Sequence, residues 1–305
     1  MSEMKNNAAK ASITSTMAER DMKAVAVRQR IVKIIVKTLL YIFLLTMAVI
    51  VLFPFYWMII SSLKDLAEYR EPNPTFFPRV IHLTNYVKAF KTARLGLLFK
   101  NTVYVGVVST ILSLVITVLS AFAFARLEFK GKNTLFAILL ATMMIPGELF
   151  TITNYATVFN LGWMNTYKVL IFPFLVSVFY IYLLKQNFMQ IPNELYLAAK
   201  VDGTKDIKYL WKVMIPLSLP TLISITILKM MGAWNSYMWP NLVARKSSMH
   251  LVTNGLRNAF TTSTNETDYP VQMAAVAIVS IPLFLVFVFL RKYIMKGVSR
   301  SGIKG

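Results

Sequence analysis

Six long apolar runs constrain the fold of this chain more than any other feature of its sequence. A helix needs about 20 residues to cross the hydrocarbon core of a bilayer, and backbone groups in lipid must be hydrogen-bonded within the spanning structure. The runs therefore predict an all-α polytopic membrane protein with six transmembrane helices, with a Pro146–Gly147 break in the third. They cover residues 38–60, 102–124, 134–153, 167–184, 217–239 and 271–290.

Composition supports this class and disfavours several others. The chain is 56% hydrophobic and 15% charged, whereas a soluble domain is about 25% charged. Its net charge of +20 does not form a basic stripe interleaved with aromatic residues, so we expect no nucleic-acid binding. The chain has no cysteine, and neither His82 nor His250 has a second ligand at metal spacing. We therefore expect no metal site, no resident cofactor and no catalytic residue.

The distribution of basic residues predicts the orientation. Most Lys and Arg residues lie in the N-terminal tail, the links after the second and fourth runs, and the C-terminal tail. Such residues collect on the cytoplasmic side, so both termini are predicted to be cytoplasmic. This orientation places the stretch 61–100 on the outer side of the membrane, although that stretch is also basic. The resulting domain prediction is a mobile tail over 1–30, the first helix and outer loop over 31–96, a five-helix core over 97–291 and a C-terminal tail over 292–305.

The second run carries small residues at every fourth position. This spacing places them on one helix face, which allows a neighbouring helix to approach closely. The pattern predicts a buried packing face without indicating a function. Its members are Ser109, Ser113, Thr117, Ala121 and Ala125.

A polar element interrupts the apolar pattern at residues 192–216. A helix is predicted to start near Pro192 and to stop at Gly203, as glycine does at helix ends. Thr204 is positioned to cap a second short helix. Its apolar stripe consists of Ile207, Leu210, Trp211 and Met214. This amphipathic pattern fits either a helix lying on lipid headgroups or a docking element for a cytoplasmic partner.

The sequence of this element resembles a known motif. "ELYLAAKVDGTKDIKYLWKVMIPLSLP" looks like the EAA motif of ABC importer permeases, which it matches at Ala198, Ala199, Asp202, Gly203 and Pro216. "NLGWMNTY", "AWNSYMWPNL" and the ending "SGIKG" are similar to the maltose-type carbohydrate permeases. The likeness runs from about the first span to the C-terminus, and it is strongest to the second, six-helix permease of such importers.

The resemblance implies a type I ABC importer permease fold with a cytoplasmic coupling helix. The implied partners are a sister permease in a heterodimer, two ATP-binding subunits that hold ATP and Mg, an extracytoplasmic solute-binding protein and the lipid bilayer of a bacterial cell membrane. The chain itself has no phosphate-binding loop and is expected not to be an enzyme. The implied ATPase-coupling residues are Ala198, Ala199, Asp202, Gly203, Ile207, Leu210, Trp211 and Pro216, with Gly302 and Lys304 of the C-terminal tail.

One position departs from the family pattern. Leu197 stands where the motif usually has its glutamate, and Glu194 lies a turn earlier. In the family that acid helps to anchor the coupling helix to the ATPase. The departure implies a contact that depends more on apolar side chains and on the backbone at Gly203.

A second group of residues suggests a substrate path. Glu148 and Lys229 are ionisable residues within apolar runs, which are usually functional. They either pair or face the path, or they lie near the outer interface with Lys229 snorkelling. Asn235 and Tyr237, flanked by Trp234 and Trp239, offer groups suited to sugars, although an interfacial aromatic belt also explains the aromatic residues.

The sequence therefore predicts a permease subunit of an ATP-driven importer, which takes up a carbohydrate delivered by an extracytoplasmic binding protein. The loop over 240–270 resembles the outer loop that contacts this binding protein. A stand-alone secondary transporter or channel is disfavoured because the two halves show no self-similarity. A membrane enzyme is disfavoured because no nucleophile or metal cluster is found. Glycerol phosphate remains an alternative substrate.

Overall fold

The computed structural model describes residues 2–261 and 268–299, with side chains over 30–261 and 268–291. The chain divides into two units, Met1–Met58 and Ile59–Gly305. Helices are the only regular secondary structure in the described ranges.

The first helix, α1, runs from Ser2 to Ser62. The backbone of the predicted N-terminal tail over 1–30 is thus helical from Ser2. The sequence contains no glycine or proline before Pro54, so no residue breaks the helix. The part from Arg30 onward has a mean hydropathy of 2.5 and no buried side chain in its most apolar window, as expected for a helix facing lipid.

Two further helices are each long and apolar enough to cross a membrane. These are α4 (Leu95–Arg126) and the final helix, α15 (Tyr269–Ser299), of which Tyr269–Arg291 is the apolar part. The segment between α1 and α4 contains α2 (Leu66–Tyr69) and α3 (Thr84–Thr92). The short α2 begins at Asp65, whose carboxylate accepts a hydrogen bond from the Glu68 amide, a typical N-cap.

The other three predicted spans are bent. The third comprises α5 (Lys132–Thr142), a 3-10 turn (Gly147–Phe150) and α6 (Thr151–Asn160), with an 84° bend at the break around Pro146. The fourth joins α7 (Tyr167–Ile171) and a 3-10 turn (Phe172–Phe174) to α8 (Val178–Met189) at 48°. Proline removes a backbone donor and clashes with the preceding turn, which accounts for breaks at Pro146 and Pro173.

The polar element and the fifth span follow. The element comprises α9 (Asn193–Val201), α10 (Asp206–Tyr209), a π-helical turn (Leu210–Met214) and α11 (Ile215–Leu217). An 81° bend at Ser218 leads into α12 (Leu219–Asn235). The chain then forms α13 (Met238–Val243), a 3-10 turn (Ser247–Met249) and α14 (Val252–Thr261) before α15. Counting each bent pair as one span gives up to six spans in the described residues.

Helix α4 is the central packing element of the unit that begins at Ile59. It packs against α8 and α12, and also contacts α3, α7 and α14. The predicted small-residue face is confirmed, since Ser109, Ser113, Thr117 and Ala121 are all buried. One turn earlier, Gly106 lies so close to α12 that an added Cβ would stand 2.9 Å from the Met230 sulfur.

The segment between α1 and α4 folds into a compact structure with buried polar contacts. Glu68 is buried, and its carboxylate accepts hydrogen bonds from the Thr75 hydroxyl at 2.6 Å and the Arg79 amide at 3.2 Å. Buried Asn85 donates to the carbonyls of Ser62 and Lys64, at 3.0 and 2.7 Å. These bonds satisfy polar groups that would otherwise be costly to bury, so this loop is an ordered part of the unit.

Candidate coupling element and membrane cavity

The glycine corner between α9 and α10 has the predicted geometry. Gly203 has a φ of +70°, a conformation that glycine adopts without a steric penalty. Its amide donates to the Lys200 carbonyl at 3.0 Å, and the Thr204 amide donates to the Ala199 carbonyl at 2.8 Å, which is the Schellman pattern of helix ends. Thr204 therefore closes α9, and its predicted role as a cap is wrong because α10 starts from Lys205 without a side-chain cap.

The apolar stripe after the corner does not form a single face. Leu210 and Met214 are 1% and 0% exposed, whereas Ile207 and Trp211 are 51% and 63% exposed. The π-helical turn over Leu210–Met214 explains the difference, since i→i+5 bonding changes the direction in which successive side chains point. Two of the stripe residues thus anchor the element, and two remain on its surface.

The anchor lies in an apolar core shared with three spans. Tyr209, Leu210 and Met214 pack in the same cluster as residues of α4, α8 and α12. Burial of a leucine or methionine side chain contributes about 1.5–3 kcal/mol. The base of the element is therefore held rigidly to the membrane helices. The cluster partners are Val118, Ala121, Phe122, Leu184, Phe188, Leu222 and Ile225.

A polar contact braces the two short helices against each other. The Asp206 carboxylate accepts hydrogen bonds from the Tyr196 hydroxyl at 2.8 Å and from the Lys200 ammonium at 2.7 Å. The hydrogen bond to Asp206 raises the pKa of Lys200. Burial, followed by the hydrogen bond to Asp206, raises the pKa of Tyr196. Because this brace crosses the Gly203 corner, it holds the angle between α9 and α10.

The tip of the element is apolar and exposed. Val201 is 88% exposed, and Leu195 and Leu197 are about half exposed. Ala198, Asp202, Gly203 and Pro216 are also exposed, while Ala199 is half-buried. The tip therefore presents apolar side chains around a backbone corner, an arrangement suited to a groove on another protein.

Arg126 connects the end of α4 to the base of this element. The buried guanidinium donates from Nη2 to the carbonyls of Phe188, at 3.0 Å, and Ile191, at 2.5 Å. These carbonyls lie at the end of α8, where a positive charge is favourable. Counting basic residues placed Arg126 on the cytoplasmic surface but could not indicate this buried contact.

Asn101 also connects α4 to other parts of the chain through hydrogen bonds, toward the opposite end of the helix. Its side-chain amide donates to the carbonyls of Ser248 and His250, at 2.9 and 3.0 Å, and its oxygen accepts from the Tyr167 hydroxyl at 2.7 Å. The next residue, Thr102, accepts a hydrogen bond from the Val252 amide at 2.8 Å. In the described part of the predicted outer loop, residues 240–261, these bonds therefore fasten the 3-10 turn at Ser247–Met249 and the start of α14 to α4. An asparagine at the start of an apolar run was the available signal for this contact.

A cavity of about 380 Å³ opens between α4, α7, α8 and α12. Lys229 lines it, and its ammonium donates to the Phe174 carbonyl at 2.5 Å. Glu148 is exposed on the 3-10 turn after Pro146, and it forms no ion pair with Lys229 in the described part of the chain. The pairing alternative is therefore not observed.

The aromatic residues at the end of α12 do not form an exposed belt. Trp234 is buried and its ring lies 5.7 Å from that of Phe99. Trp239 is also buried, with Nε1 donating to the Val169 carbonyl at 2.9 Å, and it lines the cavity. Asn235 is exposed. The Tyr237 hydroxyl accepts a hydrogen bond from Arg257, which directs Tyr237 toward α14.

Gly302 and Lys304 lie outside the described residues, as does the 262–267 segment of the outer loop. Within the described ranges no three metal-ligating side chains come together. The described structure thus combines an element with a buried base and an exposed tip with a cavity of mixed apolar and polar lining among apolar helices. Up to six membrane spans carry these two features, an arrangement that fits the class of multi-span membrane transport proteins.

Comparison with known proteins identifies the family. Residues 113–300 match the family described as binding-protein-dependent transport system inner membrane component. The chain belongs to this family, and it is accordingly a multi-pass membrane protein and a permease subunit of an ABC importer. Members are transport subunits and not enzymes.

Individual relatives agree with this assignment. The arabinooligosaccharides transport system permease protein AraQ of Halalkalibacterium halodurans is 30% identical over 261 residues, covering 85% of this chain and 93% of that protein. The sn-glycerol-3-phosphate transport system permease protein UgpE of Yersinia pestis is 26% identical over 267 residues, covering 86% and 95%.

A solved structure confirms the predicted fold. It belongs to a bacterial ABC transporter involved in the import of the acidic polysaccharide alginate. The TM-score is 0.77 at 25% identity, and the match covers 87% of this chain and 96% of that chain. The fold is thus that of a type I ABC importer permease.

Proposed function

We propose that this permease subunit imports a carbohydrate that an extracytoplasmic binding protein delivers. The proposed assembly contains a sister permease in a heterodimer and two ATP-binding subunits, which carry the ATP and Mg. The observation that supports this proposal most strongly is the exposed apolar tip at Val201 and Gly203, joined to a buried base at Leu210 and Met214. One end of the element is free to bind a partner, and the other is fixed to the spans.

The element is proposed to couple ATP hydrolysis to rearrangement of the spans. Among the residues predicted from the motif, Ala198, Asp202, Gly203, Ile207, Trp211 and Pro216 are exposed and are proposed to meet the ATPase. Leu210 is buried and Ala199 is half-buried, so these two are proposed to support the tip from beneath. A displacement of the tip would then reach α4 through the shared core and the Arg126 contact.

The carbohydrate assignment is supported by the named substrates of the relatives. One imports arabinooligosaccharides and the solved transporter imports a polysaccharide, whereas a third transports glycerol 3-phosphate. The candidate substrate path comprises Lys229 and Trp239 at the cavity, with Glu148, Asn235 and Tyr237 on exposed or neighbouring surfaces. Glycerol phosphate is the alternative substrate that these relatives support.

The proposed topology places both termini in the cytoplasm and α13 and α14 outside. The basic residues of the links next to α4, α8 and α15 support this orientation. In this arrangement the outer helices fastened by Asn101 face the binding protein, and the exposed tip of the coupling element faces the ATPase. The C-terminal residues Gly302 and Lys304 are proposed to reach the ATPase as well.

Glycine substitution tests the coupling assignment. Gly203 and Gly131 both have positive φ values, of 70° and 79°, and a Cβ on either would meet no atom within 4 Å. Valine at either site therefore costs backbone strain of about 1–2 kcal/mol without a clash. We expect Gly203→Val to remain in the membrane but to lose uptake in the reconstituted importer, whereas Gly131→Val retains uptake. Wild-type uptake by Gly203→Val would reject the assignment.

A further inference from the structure

The cavity beside α12 has the size and lining of a small-solute site. Its volume is about 380 Å³, within the range of roughly 300–1,000 Å³ that small-molecule sites occupy. Its walls combine apolar side chains with the hydroxyl-bearing residues Ser109, Ser177, Tyr180 and Ser236. Gly232 also lines it, and an added Cβ there would meet no atom within 4 Å, so the glycine leaves this wall open.

Among the residues that the structure describes, Lys229 is the only charged side chain that lines this cavity. It lies ten residues after the start of α12 at Leu219, which is about 15 Å along the helix axis. The hydrocarbon core of a bilayer is about 30 Å thick. Lys229 therefore lies inside the apolar helix, six residues before its last residue Asn235, and an ionised side chain within a membrane span is expensive and normally serves a function.

The positive charge of Lys229 has no negative partner in the described part of the chain. Its one hydrogen bond is to the neutral Phe174 carbonyl, at 2.5 Å. A lysine ammonium has three donors, so two remain for another acceptor. Charges buried in a membrane are normally paired, and here no carboxylate of the cavity lining supplies the pair. A bound anion would supply the negative charge that Lys229 lacks.

Other groups in the cavity suit a polyol. The hydroxyls of Tyr180 and Ser236 make no hydrogen bond in the described ranges, although both residues line the cavity. The Trp239 ring is held by its bond to the Val169 carbonyl and lies edge-to-face with Phe174, at 5.4 Å and 88°. A fixed aromatic ring beside free hydroxyls provides one apolar wall and several hydrogen-bonding groups for a sugar ring.

We infer that this cavity binds an anionic carbohydrate, with Lys229 receiving the carboxylate or phosphate and the Tyr180 and Ser236 hydroxyls receiving the sugar hydroxyls. The inference deepens the proposed function, on which it rests, by naming the charge class of the solute. A carboxylate and a phosphate share the chemistry that Lys229 recognises, and separate probes distinguish them.

Equilibrium binding tests this inference directly. The importer complex, purified through a tag on this chain and freed of binding protein, is placed in nanodiscs. It is titrated with labelled digalacturonate, glucose 6-phosphate and the neutral disaccharide galactobiose. We expect at least one anionic probe to bind more tightly than galactobiose. Lys229→Gln should weaken that binding about 10- to 100-fold, the range of a hydrogen bond to a charged group.

Matched variants separate the site from general charge effects. Lys229→Arg should retain most of the binding, and Lys168→Gln, at an exposed position of α7, should leave it unchanged. Binding of neither anion, or equal binding by wild type and Lys229→Gln, would overturn the inference. Uptake of a neutral sugar by the same complex, without anion binding, would leave the proposed function standing and reject only the charge class.

Discussion

The Arg126 guanidinium lies 2.5 Å from the Ile191 carbonyl oxygen, although the two residues are 65 positions apart. Arg126 is the last residue of α4, and Ile191 lies two residues before α9 begins. The bond thus joins the central span to the start of the proposed coupling element. The same guanidinium also donates to the Phe188 carbonyl, so it links the end of α8 to this junction.

Loss of this junction should uncouple ATP hydrolysis from transport. Arg126→Met would remove the guanidinium's hydrogen bonds to both carbonyls, although the Phe188 carbonyl would keep the bond from the Ile191 amide at 3.3 Å. A buried carbonyl left unpaired costs about 1–3 kcal/mol. We expect the variant importer to hydrolyse ATP while its uptake falls at least several-fold. The measurement is the ratio of transport to hydrolysis in proteoliposomes. Lys130→Met, at an exposed position of the same link, is the control, and an unchanged ratio for Arg126→Met would contradict the prediction.

Substitutions at Leu197 test whether the proposed contact with the ATPase is apolar there. The motif usually has an acidic residue at this position. The Leu197 side chain is 55% exposed on α9, so the free chain tolerates a substitution there. A carboxylate pressed against an apolar groove is costly to desolvate. Leu197→Glu should therefore weaken co-purification with the native ATPase and lower uptake, while Leu197→Met preserves both. Stronger association of Leu197→Glu would instead indicate a cationic partner surface.

The outer helices should depend on Asn101. Its side chain makes three hydrogen bonds to different parts of the chain, and Asn101→Leu would remove all three from the Ser248 and His250 carbonyls and the Tyr167 hydroxyl. Each lost hydrogen bond costs about 0.5–1.5 kcal/mol. We expect faster amide exchange across Ser247–Val252 and weaker coupling to the binding protein. Asn241→Leu, at an exposed position on α13, should show neither effect.

Lowering the pH should destabilise the same region, because His250 becomes protonated. Burial lowers the pKa of His250 below its ordinary value of 6.5, against opposing hydrogen bonds to the Arg245 and Ala244 backbones. A depressed pKa means that the unfolded segment binds the proton more readily, so stability is present above about pH 6.5 and is lost as the pH falls through the folded value. The protection factors of the α14 amides, which are corrected for the pH dependence of intrinsic exchange, should therefore fall between pH 7.5 and pH 5. His250→Gln should remove this dependence, and the same fall in the variant would assign it to another group.

The sequence predicted the features that follow from local chemistry. The apolar runs, the small-residue face of α4 and the positive φ at Gly203 each follow from residue type and spacing. The break predicted at Pro146 follows from the chemistry of proline. These features need no knowledge of which residues meet across the bundle.

The features that were missed depend on contacts distant in sequence or on unusual helix geometry. The π-helical turn splits the stripe of Ile207, Leu210, Trp211 and Met214, and a period of 3.6 cannot anticipate it. The contacts of Arg126 and Asn101 could not be predicted from local sequence, because their partners lie 62 to 149 positions away. Trp234 and Trp239 suggested an interfacial belt, but tertiary packing places them inside.

Cross-linking from the tip of the coupling element tests the central claim most directly. The chain contains no cysteine, so Val201→Cys, at an 88% exposed position, introduces a single reactive thiol. Val80→Cys, at a 61% exposed position of the outer loop, is the matched control. In the assembled importer, a short thiol-reactive cross-linker should join Val201→Cys to an ATP-binding subunit in an ATP-dependent manner, and Val80→Cys should not react with that subunit. Labelling of Val201→Cys from outside the cell, or the absence of any ATPase adduct, would contradict the coupling role.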